Sequence, residues 1–221
     1  MRFHPLAAGM LLLALPLASP LTAHGQSRGD CSTVLHAPLN SGGSLTIDSS
    51  SLGMTIEPAG SGVAQDTVQV SCSMDRSDPP HSFQMQLSGD NGNLHLKVEG
   101  GAVHHGDLEL HILVPERTNL RVRMAAGQIT IQNVSGDKDC ALRAGQITIS
   151  QKQEWNYRLV DASVDIGEVN AKAYGREMGG FFRHFRADST GGAHDLYVHV
   201  GTGQIDLLGR SHRNDGKQTS D

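Results

Sequence analysis

Ala126-Gly127-Gln128-Ile129-Thr130-Ile131 recurs as Ala144-Gly145-Gln146-Ile147-Thr148-Ile149, 18 residues further on, since 145 − 127 = 18. Looser copies place apolar residues two and four positions after a glycine. They are Gly43-Ser44-Leu45-Thr46-Ile47, Gly92-Asn93-Leu94-His95-Leu96, Gly106-Asp107-Leu108-Glu109-Leu110, Gly167-Glu168-Val169-Asn170-Ala171 and Gly203-Gln204-Ile205-Asp206-Leu207. The step from Gly167 to Gly203 is 36 residues, twice 18. A fixed period just under twenty residues describes a chain wound in stacked coils, each adding the same short strands. The glycine permits a tight corner, and the apolar residues after it point into the coil. Equivalent residues of the next coil cover them at a strand spacing of about 4.8 Å. Ile129 is then expected over Ile147 and Gln128 over Gln146, paired in parallel, with the amides laddered along the stack.

The same alternation fills most of residues 43–208. Leu45/Ile47, Val68/Val70/Cys72, Met85/Leu87, Leu94/Leu96/Val98, Leu108/Leu110/Ile112/Val114 and Leu120/Val122/Met124 each put one row inward, with polar residues between. Helical periodicity is nearly absent, and Asp78-Pro79-Pro80 belongs in a loop. The expected fold is all-β, a single-stranded β-solenoid with coils of about 18–22 residues. The alternative is an antiparallel β-sandwich in which the glycines merely open strands after turns. The N-terminal third suits either, because its copies are spaced 49 (92 − 43) and 14 (106 − 92) residues apart.

The expected organisation is a signal peptide (1–25), an irregular segment (26–42), the repeat domain (43–210) and a disordered polar tail (211–221). Arg2, an apolar stretch over 6–21 and Ala23-His24-Gly25 have the charge, length and cleavage-site character of a secretory signal. Its apolar run is interrupted by Pro16 and Pro20 and is short for a membrane span of about 20 residues. Cleavage would leave a charge of 17 − 23 = −6, which argues against a nucleic-acid partner and against anionic lipid. Export to the periplasm or beyond permits disulfides, and three cysteines allow at most one internal bridge. Spacing leaves the pairing open. Cys31–Cys72 is the favoured choice because it would staple the irregular N-terminal stretch, while Cys140, beside Ala141 and Leu142, reads as a small core residue.

Leu110-His111-Ile112-Leu113-Val114-Pro115-Glu116-Arg117-Thr118-Asn119-Leu120-Arg121-Val122 leads directly into the first Ala-Gly-Gln-Ile-Thr-Ile phrase. This order of apolar strand, Val-Pro, polar stretch, strand and Gly-x-Ile-x-Ile resembles a bacterial family of adhesin-like β-solenoid domains of unknown function, over about residues 44–208. The resemblance implies an exported or envelope-associated β-solenoid and carries over no catalytic residue.

Several residues invite a chemical role. Phe181, Phe182, Arg183, Phe185 and Arg186 form an aromatic-basic run that could contact a glycan or a surface protein. As a plain strand, the same run would turn Phe181 and Phe185 inward. His95 and His111 face out from neighbouring strands, with His104-His105 between, and two or three imidazoles could meet at a divalent ion. No recognised ligand spacing supports that, and solvated surface histidines explain them as well. Asp161, Asp165, Glu168 and Asp206 are the carboxylates an enzyme reading would need, but none recurs as an acid–base pair. The functional expectation is a non-enzymatic exported protein, needing no cofactor, with a binding, adhesion or envelope role. The alternative is a polysaccharide lyase or hydrolase on a short β-helix.

Overall fold

The computed structural model describes residues 25–62, 64–74, 83–100, 108–151 and 156–209. The expected tail, residues 1–24 of the expected signal peptide, the Asp78-Pro79-Pro80 loop and His104-His105 lie outside them. The described chain is all-β apart from one turn of 3-10 helix at Lys172–Tyr174. Its N-terminal part contains β1 (Gly25–Gly29), β2 (Leu35–Pro38), β3 (Ser44–Pro58), β4 (Thr67–Met74), β5 (Gln84–Gly89), β6 (Asn93–Glu99) and β7 (Leu108–Val114). Then follow the long strands β8 (Asn119–Gln132), β9 (Lys138–Gln151), β10 (Tyr157–Ala171), β11 (Arg176–Asp188) and β12 (His194–Gly209). All twelve join one large mixed sheet that does not close on itself.

The two identical phrases pair as the sequence suggests. In β8 and β9, which are parallel, Gly127 lies opposite Gly145, Gln128 opposite Gln146 and Ile129 opposite Ile147. Each long strand turns a corner at its glycine. In β8 the buried row runs Leu120, Val122, Met124 and then shifts parity to Ile129 and Ile131. A bulge-like corner of this kind keeps both halves facing one core. Across the levels this builds apolar columns, such as Met54, Ile129, Ile147, Ile205 and Val169, all buried. Burying each such side chain stabilises the fold by about 1.5–3 kcal/mol relative to exposure.

The order of the levels departs from simple winding. The 36-residue step from Gly167 to Gly203 was expected to span two coils, but the two glycines are direct neighbours. β10 leaves a gap beside β9, its successor β11 folds back antiparallel on its far edge, and β12 returns to fill the gap parallel to both β9 and β10. Period alone cannot separate two coils from one outward hairpin, because both return the chain in phase.

The N-terminal side also departs from uniform parallel pairing. β6 and β7 together form the level beside β3, each parallel to one half of it. β5 and β4 then add antiparallel to β6 and β7, and the short β1 and β2 end the stack. Residues 26–42, expected to be irregular, therefore carry most of β1 and all of β2. A disulfide joins Cys31 to Cys72 across a Cα–Cα distance of 5.0 Å, tying this end to β4.

Candidate functional site

The corner glycines stand in a column where each approaches the carbonyl of its neighbour. A Cβ on Gly127 would lie 2.0 Å from the Leu52 oxygen, and on Gly145 1.9 Å from the Gly127 oxygen. On Gly203 it would lie 1.8 Å from the Gly145 oxygen, and on Gly167 1.8 Å from the Gly203 oxygen. Their φ angles run from +125° to +140°, which side chains rarely adopt. The column floors a shallow groove along the corner. One wall is the row Gln128, Gln146, Gln204 and Glu168, and β11 closes the end with Gly179 and Gly180.

The amides on that wall are largely committed to structure. Gln128 Nε2 reaches Gln146 Oε1 at 3.5 Å, and the amides of Gln146 and Gln204 donate to the carboxylate of Asp206. Asn170 Nδ2 adds a third donor at 3.1 Å. Asp206 is buried, and these three donors replace the water it has lost. It is therefore a structural clasp between β9, β10 and β12. Asp161 pairs with His184 and Arg186, and Asp165 with His199 at 3.7 Å, while Glu168 lies on the groove wall.

At the end of the groove the surface turns apolar. Among the described residues the exposed large hydrophobics are Val34, Ile166, Phe181, Phe182 and Tyr197. Ile166 lies directly opposite Phe181 across the β10–β11 ladder, and Phe182 follows in sequence. Phe181 is 68% exposed and Phe182 81%, so the inward position expected for Phe181 is not what forms. The parity shift at the corner explains this: Phe181 falls on the outward column of Ile166, and only Phe185 reaches the core column of Ala162. Phe185 packs against Tyr174 with ring centroids 5.2 Å apart. Phe182 has a φ of +50°, a left-handed backbone that is costly for an aromatic residue. Arg183 donates from Nε to the Gly179 carbonyl at 2.7 Å, and Arg186 lies near Asp161 and Asp188. The five aromatic-basic residues thus divide between an exposed pair, a buried anchor and two arginines held by their own strand and its neighbour.

Ile166 completes this cluster, and the sequence carries a signal for it. The copies at Gly127, Gly145 and Gly203 carry Ala126, Ala144 and Thr202 before the corner glycine, and isoleucine alone is large and apolar there.

The two histidines raised as ligands have separate partners. His95 Nε2 meets Asp48 at 2.7 Å, and His111 Nε2 lies 3.3 Å from Ser73 Oγ. No group of three or more metal-binding side chains is assembled among the described residues. Elsewhere the outward rows carry cross-strand ion pairs, such as Arg121 and Arg123 with Asp139 and Arg158 with Asp195. Exposed pairs of this type contribute at most about 1 kcal/mol each.

One charge lies inside. Lys138 occupies the core column between Leu120 and Leu196, donating to the carbonyls of Val134 (2.7 Å) and Gly136 (3.0 Å) beneath the Tyr157 ring. Burial pushes its ammonium down to about 8, and burial pushes the nearby Cys140 thiol up to about 12. Cys140 is thus an inert core residue at neutral pH.

No family model matches the chain, and no curated protein matches it. Among solved structures it is similar to a crystal structure from Clostridium sporogenes described as a "putative cell adhesion protein". The identity is 10% and the TM-score 0.47, over 80% of this chain and 99% of that one. A likeness that distant carries no argument about what this chain binds. The adhesin-like family suggested by the sequence is accordingly not established by any family model.

Proposed function

We propose that this chain is a non-enzymatic, exported β-solenoid with an adhesion or envelope-associated role, and that it binds through the C-terminal end of its stack. The solenoid reading rests on the common parallel register of β3, β8, β9, β12 and β10 around one corner column. The observation that carries the binding role is the cluster of Ile166, Phe181 and Phe182. Three large apolar side chains left in water on adjoining positions serve no purpose in the fold, and exposed patches of this kind mark interaction sites. Phe182 also keeps an unfavourable backbone angle, the kind of strain that concentrates at functional surfaces. Phenyl faces suit the apolar face of a sugar or an apolar side chain of a surface protein.

Export is supported by the N-terminal sequence and by the Cys31–Cys72 disulfide, a bond that persists in oxidising compartments. No described helix is long and apolar enough to cross a membrane. Binding of the purified chain to a glycan array and to isolated envelope fractions tests the proposal. Saturable binding, lost when Phe181 and Phe182 are replaced, is expected. Binding that survives the replacement, or no binding to either, would remove it.

A further inference from the structure

The two ends of the stack are finished differently. At the N-terminal end the outermost strands are short, five residues in β1 and four in β2, and the disulfide ties the turn between them to β4. At the other end β11 runs for 13 residues and is exposed along nearly all of them. One edge of β11 pairs with β10, and among the described residues the other edge pairs with no strand. A long open edge is a template for another strand unless something covers it.

We infer that the partner of this edge is β11 of a second copy of the chain, paired antiparallel about a two-fold axis between Phe181 and Phe182. The inference rests on reading this end as a docking surface. It commits to a register in which facing residue numbers add to 363. In that register Glu177 faces Arg186 of the second copy, and by symmetry Arg186 faces Glu177. Met178 faces Phe185, and Phe181 faces Phe182. The columns agree on both sides of the corner. Phe185 and Met178 lie on the inward columns of Ala162 and Val169, so these two columns would continue from one copy into the next, flanked by Arg183 and Arg176 on the columns of Val164 and Ala171. Glu177 and Arg186 lie on the outward columns of Asn170 and Asp161. Glu177 and Arg186 meet as opposite charges and Met178 and Phe185 as apolar residues, the self-complementarity a two-fold interface requires, while Arg176, Arg183 and Asp188 face the small residues Ala187, Gly180 and Gly175. The segment after Gly209 is a poorer occupant, because residues 210–221 contain no apolar side chain to cover two exposed phenyl rings.

Sedimentation velocity of the full mature chain, disulfide intact, over a concentration series decides the matter. A monomer–dimer equilibrium is expected. Glu177→Arg sets four positive side chains against one another and should weaken the dimer about tenfold or more. The double exchange Glu177→Arg with Arg186→Glu should restore it. Phe182→Gly relieves the left-handed strain, so its melting temperature at monomeric concentration should not fall while its dimer weakens. A concentration-independent monomer, or a dimer indifferent to both charge reversal and Phe182→Gly, would overturn the inference. A monomer whose β11 amides are already protected from exchange would also overturn it, making another segment of the chain the occupant. A monomer that still binds glycan or envelope through Phe181 and Phe182 would remove the self-pairing and keep the proposed function. A dimer with the predicted charge dependence that binds neither would do the reverse.

Discussion

Replacing Gly145 by alanine puts a methyl group where the stack has no room for one. Two costs add. The φ of +132° lies in a region almost confined to glycine, at about 1–3 kcal/mol for any other residue. The new Cβ would also sit 1.9 Å from the Gly127 carbonyl oxygen, against an ordinary closest approach of about 3 Å. The neighbouring level must move away or the corner must open, and overpacking of a filled interior costs about 1–3 kcal/mol. The expected loss is therefore about 2–6 kcal/mol, a large share of the 5–15 kcal/mol typical of a domain. Gly175→Ala separates the two costs, because Gly175 has a φ of +65° and nothing within 4 Å of its would-be Cβ. It should lose only about 1 kcal/mol. Urea denaturation followed by far-ultraviolet circular dichroism compares the variants directly. A Gly145→Ala protein no less stable than Gly175→Ala would refute the close-approach argument.

Three other outcomes follow from the same geometry. At a concentration where the chain is monomeric, Phe182→Gly should gain about 1 kcal/mol in denaturant stability by relieving the left-handed backbone, and a loss of that size would show the ring to be packed within its own chain. Reducing the Cys31–Cys72 bridge, with a sequence separation of 41, should cost about 4 kcal/mol by the chain-entropy relation, read as a drop in melting temperature; an unchanged melting temperature would contradict it. Lys138 titrates near 8 when folded and 10.5 when unfolded, so between those values the unfolded chain holds a proton the folded chain has released. Its contribution to stability is then present above 10.5 and lost as pH falls through 8. Wild type should gain up to about 3 kcal/mol over Lys138→Met between pH 8 and 10.5, and a flat difference would show that the ammonium is not desolvated.

The repeated phrase was a reliable guide to its own surroundings. Identical residues stack because the corner glycine, the inward isoleucines and the amide row each admit few substitutes, and Gly127–Gly145, Gln128–Gln146 and Ile129–Ile147 pair accordingly. The order of levels was hidden, because Gly167 and Gly203 keep their phase whether the chain winds two coils or makes one hairpin. Alternating apolar residues also look alike in parallel and antiparallel strands, which is why β4 and β5 could not be distinguished from coil rungs. The proposed docking surface was half visible. Aromatic-basic composition drew attention to 181–186, but strict alternation sent Phe181 inward, since it takes no account of the parity shift at a corner. Nor can it recognise β11 as the end of the strand order, where among the described residues no further strand pairs.

Amide hydrogen exchange over residues 176–188, in the free chain and with its binder or at dimer-forming concentration, tests most directly whether this end is the docking surface. Fast exchange of the outward-pointing β11 amides is expected in the free monomer, with strong protection on association. Protection elsewhere in the stack, with β11 unchanged, would contradict it.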